Sequence, residues 1–375
     1  MFGKRITIFT LFGFKVRIDI SWLVIALLIS WTLARGTFPY FYKDLSSSMY
    51  WIMGVLGVLG LFVSIVVHEL SHSLAARKFG LPMKGITLFI FGGVAEMSEE
   101  PPSPKAEFLM AIAGPLSSIL FGSVLLIVYF MGNFSGWPKP IMGVLIYLSI
   151  INFILAAFNL IPAFPLDGGR VLRSILWGYK NNIQWATKIA SGIGRGFGIA
   201  LVIIGAVSIL MGNIIGGLWW ILIGMFLRGA SQSSYQHMVI RNVLEGQTIR
   251  KFMTAKVITV SPDTTINDFI ENYLYTYHFK MFPVVSEDKL LGCVTLDKVK
   301  EIPLEERKDY VVHEILKVCS KKNTISPDED AMKAVAIMRE NNSSRLMVVE
   351  GEKLVGIISL KDLLHYMTLK LDVGI

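Results

Sequence analysis

Cysteine is nearly absent: only Cys293 and Cys319 occur in 375 residues, which excludes a disulfide framework and suits a reducing compartment. Charge is scarce as well. Asp, Glu, Lys and Arg make up 17 % of the chain against 53 % hydrophobic residues, with a mean hydropathy of +0.56, too apolar for an ordinary soluble protein. The first residues lack a short apolar core followed by a small-residue cleavage site, so the first apolar run, at 20–33, reads as a retained spanning helix and not as a leader. No soluble face gathers Arg with interleaved aromatics, which sets nucleic acid aside as a partner.

What is present divides in two. Residues 1–240 hold nearly all the long uncharged runs and carry 17 Lys and Arg against 8 Asp and Glu, whereas residues 241–375 alternate charge and hydrophobe with 19 against 20. The net charge of +8 therefore belongs to membrane flanks. Runs at about 20–35, 51–77, 108–132, 141–162, 193–211 and 214–230 are long enough, at ~1.5 Å per residue, to cross most of a ~30 Å hydrocarbon core. One side of that arrangement collects Lys4, Arg5, Lys15, Arg17, Arg77, Lys78, Lys84, Arg173, Lys180 and Arg228, and the other only Arg35, Lys43 and Lys139. Both termini are therefore expected in the cytosol, with the chain in the cell membrane.

Short strands interrupt the helical pattern. KRITIFTLFGFKVRID (4–19) alternates β-branched and polar residues, and the run 86–90 followed by Gly92, Gly93, Val94 and Ala95 predicts a hairpin at the membrane face. In the charged part, TVSPD (259–263) recurs as TISPD (324–328), and VVSEDKLLGCVTLDKV (284–299) recurs as VVEGEKLVGIISLKDL (348–363), which predicts two stacked copies of one α/β unit. The expected fold class is a multi-pass α-helical membrane protein of about six transmembrane helices with short membrane-associated β segments, followed by a soluble α/β pair. Its expected domains are a membrane domain over 1–232, a polar linker over 233–246 and soluble copies over 247–304 and 305–375.

HELSH at 68–72 is the stretch that points to chemistry. Residues four apart on a helix share a face, so His68 and His72 can hold one metal while Glu69 stands beside them to take a proton from water. So short a pattern also arises by chance. Here it follows the uncharged run 51–67, where ionisable groups are costly unless they are paired or functional. Neutral imidazoles suit Zn²⁺, which acidifies water toward neutral pH and usually takes a third protein ligand. Asp167, in NLIPAFPLDGGR (159–170), is the only acidic residue between Glu107 and Glu245. A turn Asp before glycines is the bland reading. It leaves unexplained why an apolar crossing ends in two prolines, an Asp and two glycines, which break a helix and admit close backbone approach.

HExxH in the second crossing, Gly114 and Pro115 at the start of the third, and NxxPxxPLDGGR at 159–170 together resemble the site-2 protease family of intramembrane zinc metalloproteases over about residues 1–232. The resemblance implies His68, His72 and Asp167 as zinc ligands, Glu69 as general base, and Asn159 as a group near the active site that binds the substrate carbonyl or the oxyanion. Ser118 stands where many members carry Asn, at a position that packs the core and binds no zinc. The substrate implied is a membrane-spanning protein segment cut near the cytosolic side. A peptide bond in a helix is hidden by its own hydrogen bonds, so that segment must unwind, and the hairpin 86–97 offers an edge to which it could add as a strand.

The repeat resembles paired cystathionine-β-synthase (CBS) domains over about 248–370, whose cleft often binds adenine nucleotides. Residues 356–362 match the G-x-[IV]-[ST]-x-x-D pattern, which implies that Ser359 meets phosphate and Asp362 the ribose. The first copy keeps Thr295 but has Lys298 where Asp is expected, so one nucleotide site is expected and not two. A structural pair that joins two chains into a homodimer is the other reading of these domains. CBS pairs are also attached to transport proteins, which leaves a CBS-regulated metal-ion channel or transporter as the competing function. That class needs polar residues on several crossings and often an inverted repeat, whereas here they converge on one HExxH set. The expectation is a zinc metalloendopeptidase modulated by adenine nucleotide.

Overall fold

In the computed structural model, which describes residues 5–90, 92–97, 100–320 and 322–372, the alternating N-terminal stretch forms a hairpin. Strand β1 (Arg5–Leu11) pairs antiparallel with β2 (Phe14–Asp19), β2 runs parallel to β3 (Met83–Phe89), and β3 pairs antiparallel with β4 (Gly92–Met97). The four-stranded sheet has β1 and β4 at its edges. Period-two burial of Phe14, Val16, Ile18, Ile86 and Leu88 packs one face against Trp22, Val66 and Leu70 of the helices.

Helix α1 (Ile20–Thr32) starts where the Asp19 carboxylate accepts from the Ser21 N–H at 2.9 Å. It runs on through a π-helical turn, Leu33–Thr37, into α2 (Phe38–Phe41). Helix α3 (Ser47–Lys78) is capped by Ser46 and ends on Arg77 and Lys78, cations that suit the carbonyl end of a helix. Helices α4 (Pro104–Phe134), α5 (Lys139–Asn159), α6 (Asp167–Lys180), α7 (Ile183–Leu210) and α8 (Ile214–Leu244) follow. Among the described residues, six helices are long and apolar enough to cross a membrane: Ile20–Phe41, α3, α4, α5, α7 and α8. Their outward faces carry exposed Leu27, Leu120 and Phe134, which water would drive together and hydrocarbon solvates. The chain is a multi-pass membrane protein.

Three boundaries differ from expectation. Helix α7 begins well before the apolar run at 193, because Asn182 caps it by accepting from the Trp185 N–H at 2.9 Å. Asp167 heads a helix of its own, where the sequence suggests only a break. Residues 233–246, read as a linker, are helical through Leu244, and the last turn is supported by Arg241 and Glu245 at 2.8 Å. The hairpin of α7 and α8 is closely packed: a Cβ at Gly198 or Gly205 would strike the backbone of Gly224 or Gly217, so small residues let the two helices touch.

The described residues fall into two units, Met1–Gln236 and His237–Ile375. In the second, β5 (Met281–Ser286), β6 (Lys289–Thr295), β7 (Lys317–Val318), β8 (Thr324–Ile325), β9 (Arg345–Glu350) and β10 (Lys353–Ser359) form one sheet in the order β5-β6-β10-β9-β8, with β7 on β6. The repeated motifs are the hairpins β5–β6 and β9–β10. The cores are exchanged across the repeat. Ile249 and Phe252, which precede the first copy's hairpin, are buried with Ile325, Leu346 and Ile358 of the second. Val312, which lies beyond the boundary expected at 304, is buried with Val260, Phe269 and Phe282 of the first.

Candidate metal centre

His68 and His72 lie one turn apart toward the end of α3, 3 % and 6 % exposed. Their Nε2 atoms are 3.2 Å apart, and each stands 3.1 Å from Asp167 Oδ2. The carboxylate arrives from far along the chain because α5 stops at Asn159 and residues 160–166 turn back into α6. That turn is held from α8, where the Ser231 hydroxyl donates to the Phe164 carbonyl. The structure thus brings together all three residues taken from the sequence as ligands.

The far sides of the rings fix their chemistry. His72 Nδ1 lies 2.7 Å from the Met110 carbonyl; a carbonyl only accepts, so Nδ1 carries the proton and Nε2 of the neutral ring presents a lone pair. His68 Nδ1 meets the Ser118 hydroxyl at 2.9 Å, which can accept in the same way. Protonating both rings throughout would set two N–H groups against each other at 3.2 Å. With each ring neutral and its Nδ1 protonated, two Nε2 lone pairs and the Asp167 carboxylate face one point, an arrangement that suits a cation. Their separations are close to the ~3.3 Å edge of a tetrahedron of ligands at ~2.0–2.1 Å from zinc. The donor set fits the ion.

Two glycines keep the surroundings open. A Cβ at Gly114, in the Gly-Pro pair of α4, would strike Nε2 of both rings. A Cβ at Gly93 would fall 2.9 Å from Glu69 Cδ and Oε1, so the backbone of β4 passes beside that carboxyl. Glu69 shares with the two histidines a cleft of ≈ 300 Å³ whose other walls include Phe89, Asn159, Arg170 and Phe226. Asn159 donates through Nδ2 to the Leu155 carbonyl at 3.0 Å.

Sequence reasoning did not find the Ser118 contact, the Met110 carbonyl, the approach of Gly93 or the wall that α8 contributes. Only Ser118 left a trace, as a polar residue in an apolar crossing. In the second unit, Ser359 and Asp362 bond each other: the Ser359 N–H and hydroxyl meet Asp362 Oδ2 at 2.9 and 2.6 Å, and the Asp362 N–H returns to Ser359 Oγ at 3.2 Å. This caps the helix Leu360–Asp372. Both line a cleft of ≈ 260 Å³ with Lys256, Phe279, Arg345 and Lys361. Thr295, at the end of β6, is not among the residues lining it.

Peptidase family M50 matches residues 56–143 and 134–204, and the CBS domain matches 249–305 and 312–369. A zinc metalloprotease of Methanocaldococcus jannaschii is 35 % identical over 330 residues, covering 87 % of this chain and 88 % of that protein. A protein of Synechocystis sp. named as a zinc metalloprotease is 33 % identical over 359 residues, covering 95 % and 93 %. Among solved structures, the site-2 protease from Methanocaldococcus jannaschii aligns at 33 % identity and a TM-score of 0.43, over 61 % of this chain and 94 % of that one.

Proposed function

Because the chain belongs to peptidase family M50, as a site-2-protease-like zinc metalloprotease with a tandem CBS pair, we propose that it hydrolyses peptide bonds of membrane-spanning protein substrates at the centre formed by His68, His72 and Asp167. The observation that carries this is the meeting of two imidazole Nε2 atoms and a carboxylate oxygen within 3.2 Å of one another, with each Nδ1 turned to an acceptor of its own. Those three residues hold the ion. Zinc, when bound, supplies a Lewis acid that acidifies water and polarises the scissile carbonyl.

The chain's own groups do the rest. Glu69 takes the proton of the attacking water and delivers it to the departing amine. Asn159 keeps one amide hydrogen on Leu155 and has a second to offer the substrate carbonyl. A peptide bond in a helix is hidden by its own backbone hydrogen bonds, so the substrate enters the cleft unwound. Strand β4 pairs only with β3 among the described residues; its other edge is open to an added strand, which would run past Gly93 and therefore past Glu69.

In the same proposal the chain lies in the cell membrane with both termini cytosolic, and cleavage falls near that side, as the Lys and Arg distribution supports. The CBS pair takes one adenine nucleotide in the cleft of Ser359 and Asp362, where Lys256, Arg345 and Lys361 suit the phosphates. Such a ligand alters cleavage only through unequal affinity for two states of the enzyme. Two chains pair through these domains, which sedimentation of the purified protein reads directly.

The test compares wild type, Glu69→Gln and His68→Ala for zinc content and for cleavage of a synthetic spanning peptide. Wild type and Glu69→Gln should each hold one zinc, His68→Ala none, and only wild type should cut. Zinc retained by His68→Ala would overturn the ligand assignment, and undiminished cleavage by Glu69→Gln the assignment of the base.

A further inference from the structure

Glu107 is a carboxylate with 0 % exposure in the first turn of α4. Its partner is Arg173 of α6, itself 5 % exposed, whose Nε donates to Oε1 at 2.6 Å while Nη2 contacts the same oxygen. Arg170 Nε stands 4.0 Å from that oxygen. Asp167, Arg170 and Arg173 follow at three-residue steps along α6, so Glu107 grips the face of the helix whose first residue is Asp167. On its own helix Glu107 precedes Met110 by one turn, and the Met110 carbonyl orients His72. Arg173 reaches further: it lies over the Phe164 ring at 5.2 Å, in the turn that leads into Asp167, and its Nη2 meets Glu100 at 3.3 Å.

A buried ion pair adds little net stability over a well-packed apolar pair of the same size. It does, however, resist sliding. Apolar contacts tolerate a shift of one helix along another, whereas a charge-assisted hydrogen bond between Glu107 and Arg173 loses its geometry. Metal–ligand bonds hold within about 0.2 Å, so a shift of α6 against α4 is felt at once by Asp167.

We propose that Glu107, acting through Arg173 and Arg170, is the positioning residue that sets Asp167 against the His68–His72 pair. The inference rests on the reading of those three residues as zinc ligands. Its test uses Glu107→Gln and the double variant Glu107→Met with Arg173→Met, which removes both charges while keeping side chains of useful size, with His68→Ala as control. Three quantities are measured on the full chain: the thermal midpoint of the metal-free protein, the rate at which zinc passes to a chelator, and the absorption spectrum of the cobalt-substituted protein.

The double variant should melt near the wild-type midpoint yet release zinc about tenfold faster or more, with displaced cobalt bands. Glu107→Gln should show the same release and spectral change. Wild-type release and spectrum in either folded variant would overturn the proposal, and so would loss of folding in both, since the pair would then hold the fold and not the ligand. If His68→Ala kept its zinc, the ligand reading itself would fail; zinc lost there but held normally by the Glu107 variants would sink this inference alone.

Discussion

Met110 and His72 meet across two helices, the imidazole proton going to a backbone carbonyl at 2.7 Å. His68 is held differently, by the hydroxyl of Ser118 at 2.9 Å. Partners of this kind fix the tautomer and the ring plane of a metal-binding histidine. No side-chain substitution removes the acceptor of His72, so the outer support that mutation can reach belongs to His68.

Ser118→Ala should therefore weaken zinc affinity by about tenfold without unfolding the chain. Competition with a chromogenic chelator measures it. Ser118→Asn, which keeps an acceptor for the ring, should lose less; equal affinities for wild type and the alanine variant would refute a role for the hydroxyl.

At Gly114 local and tertiary preferences oppose each other. Alanine favours a helix over glycine by ~1 kcal/mol, yet its methyl would strike Nε2 of both histidines. Gly114→Ala should stay folded and lose both zinc and hydrolysis. Normal zinc content by elemental analysis would show that the rings have room to move.

Gly93→Ala separates proton transfer from metal binding. The added methyl would strike first the Glu69 side chain, so hydrolysis should fall about 10²-fold or more while zinc stays bound. Parallel loss of zinc would mean that β4 supports the whole centre.

For the CBS cleft, calorimetry with AMP, ADP and ATP on the intact protein should find one binding event. Lys256→Ala should weaken it by about tenfold, or roughly 1.4 kcal/mol, without touching the bonds between Ser359 and Asp362. Thr295→Val should matter less than Ser359→Val, because Thr295 does not line the cleft. Silence from all three nucleotides would end the proposal of regulation by this ligand.

His68, Glu69 and His72 are legible in sequence because one turn of helix fixes their relation whatever surrounds it. Asp167 stands out as the lone acid between Glu107 and Glu245, though not as the head of a helix. The contacts of Ser118 with His68, Gly93 with Glu69 and Glu107 with Arg173 join distant segments, and no local periodicity records them. The extension of α8 was hidden for another reason: polar residues such as Gln236 and Asn242 suit a helix and a linker alike. The repeat was visible, but the placement of Ile249 and Val312 was not, since similarity between copies is silent about which core a flanking residue enters.

That placement has a mechanical meaning. With Ile249 and Phe252 filling the second core and Val312 the first, each copy is completed by residues lent from outside its own repeat, so deleting one copy leaves the survivor with a hole. The pair should melt as a single body, and a molecule wedged beside Ser359 would press on both halves at once.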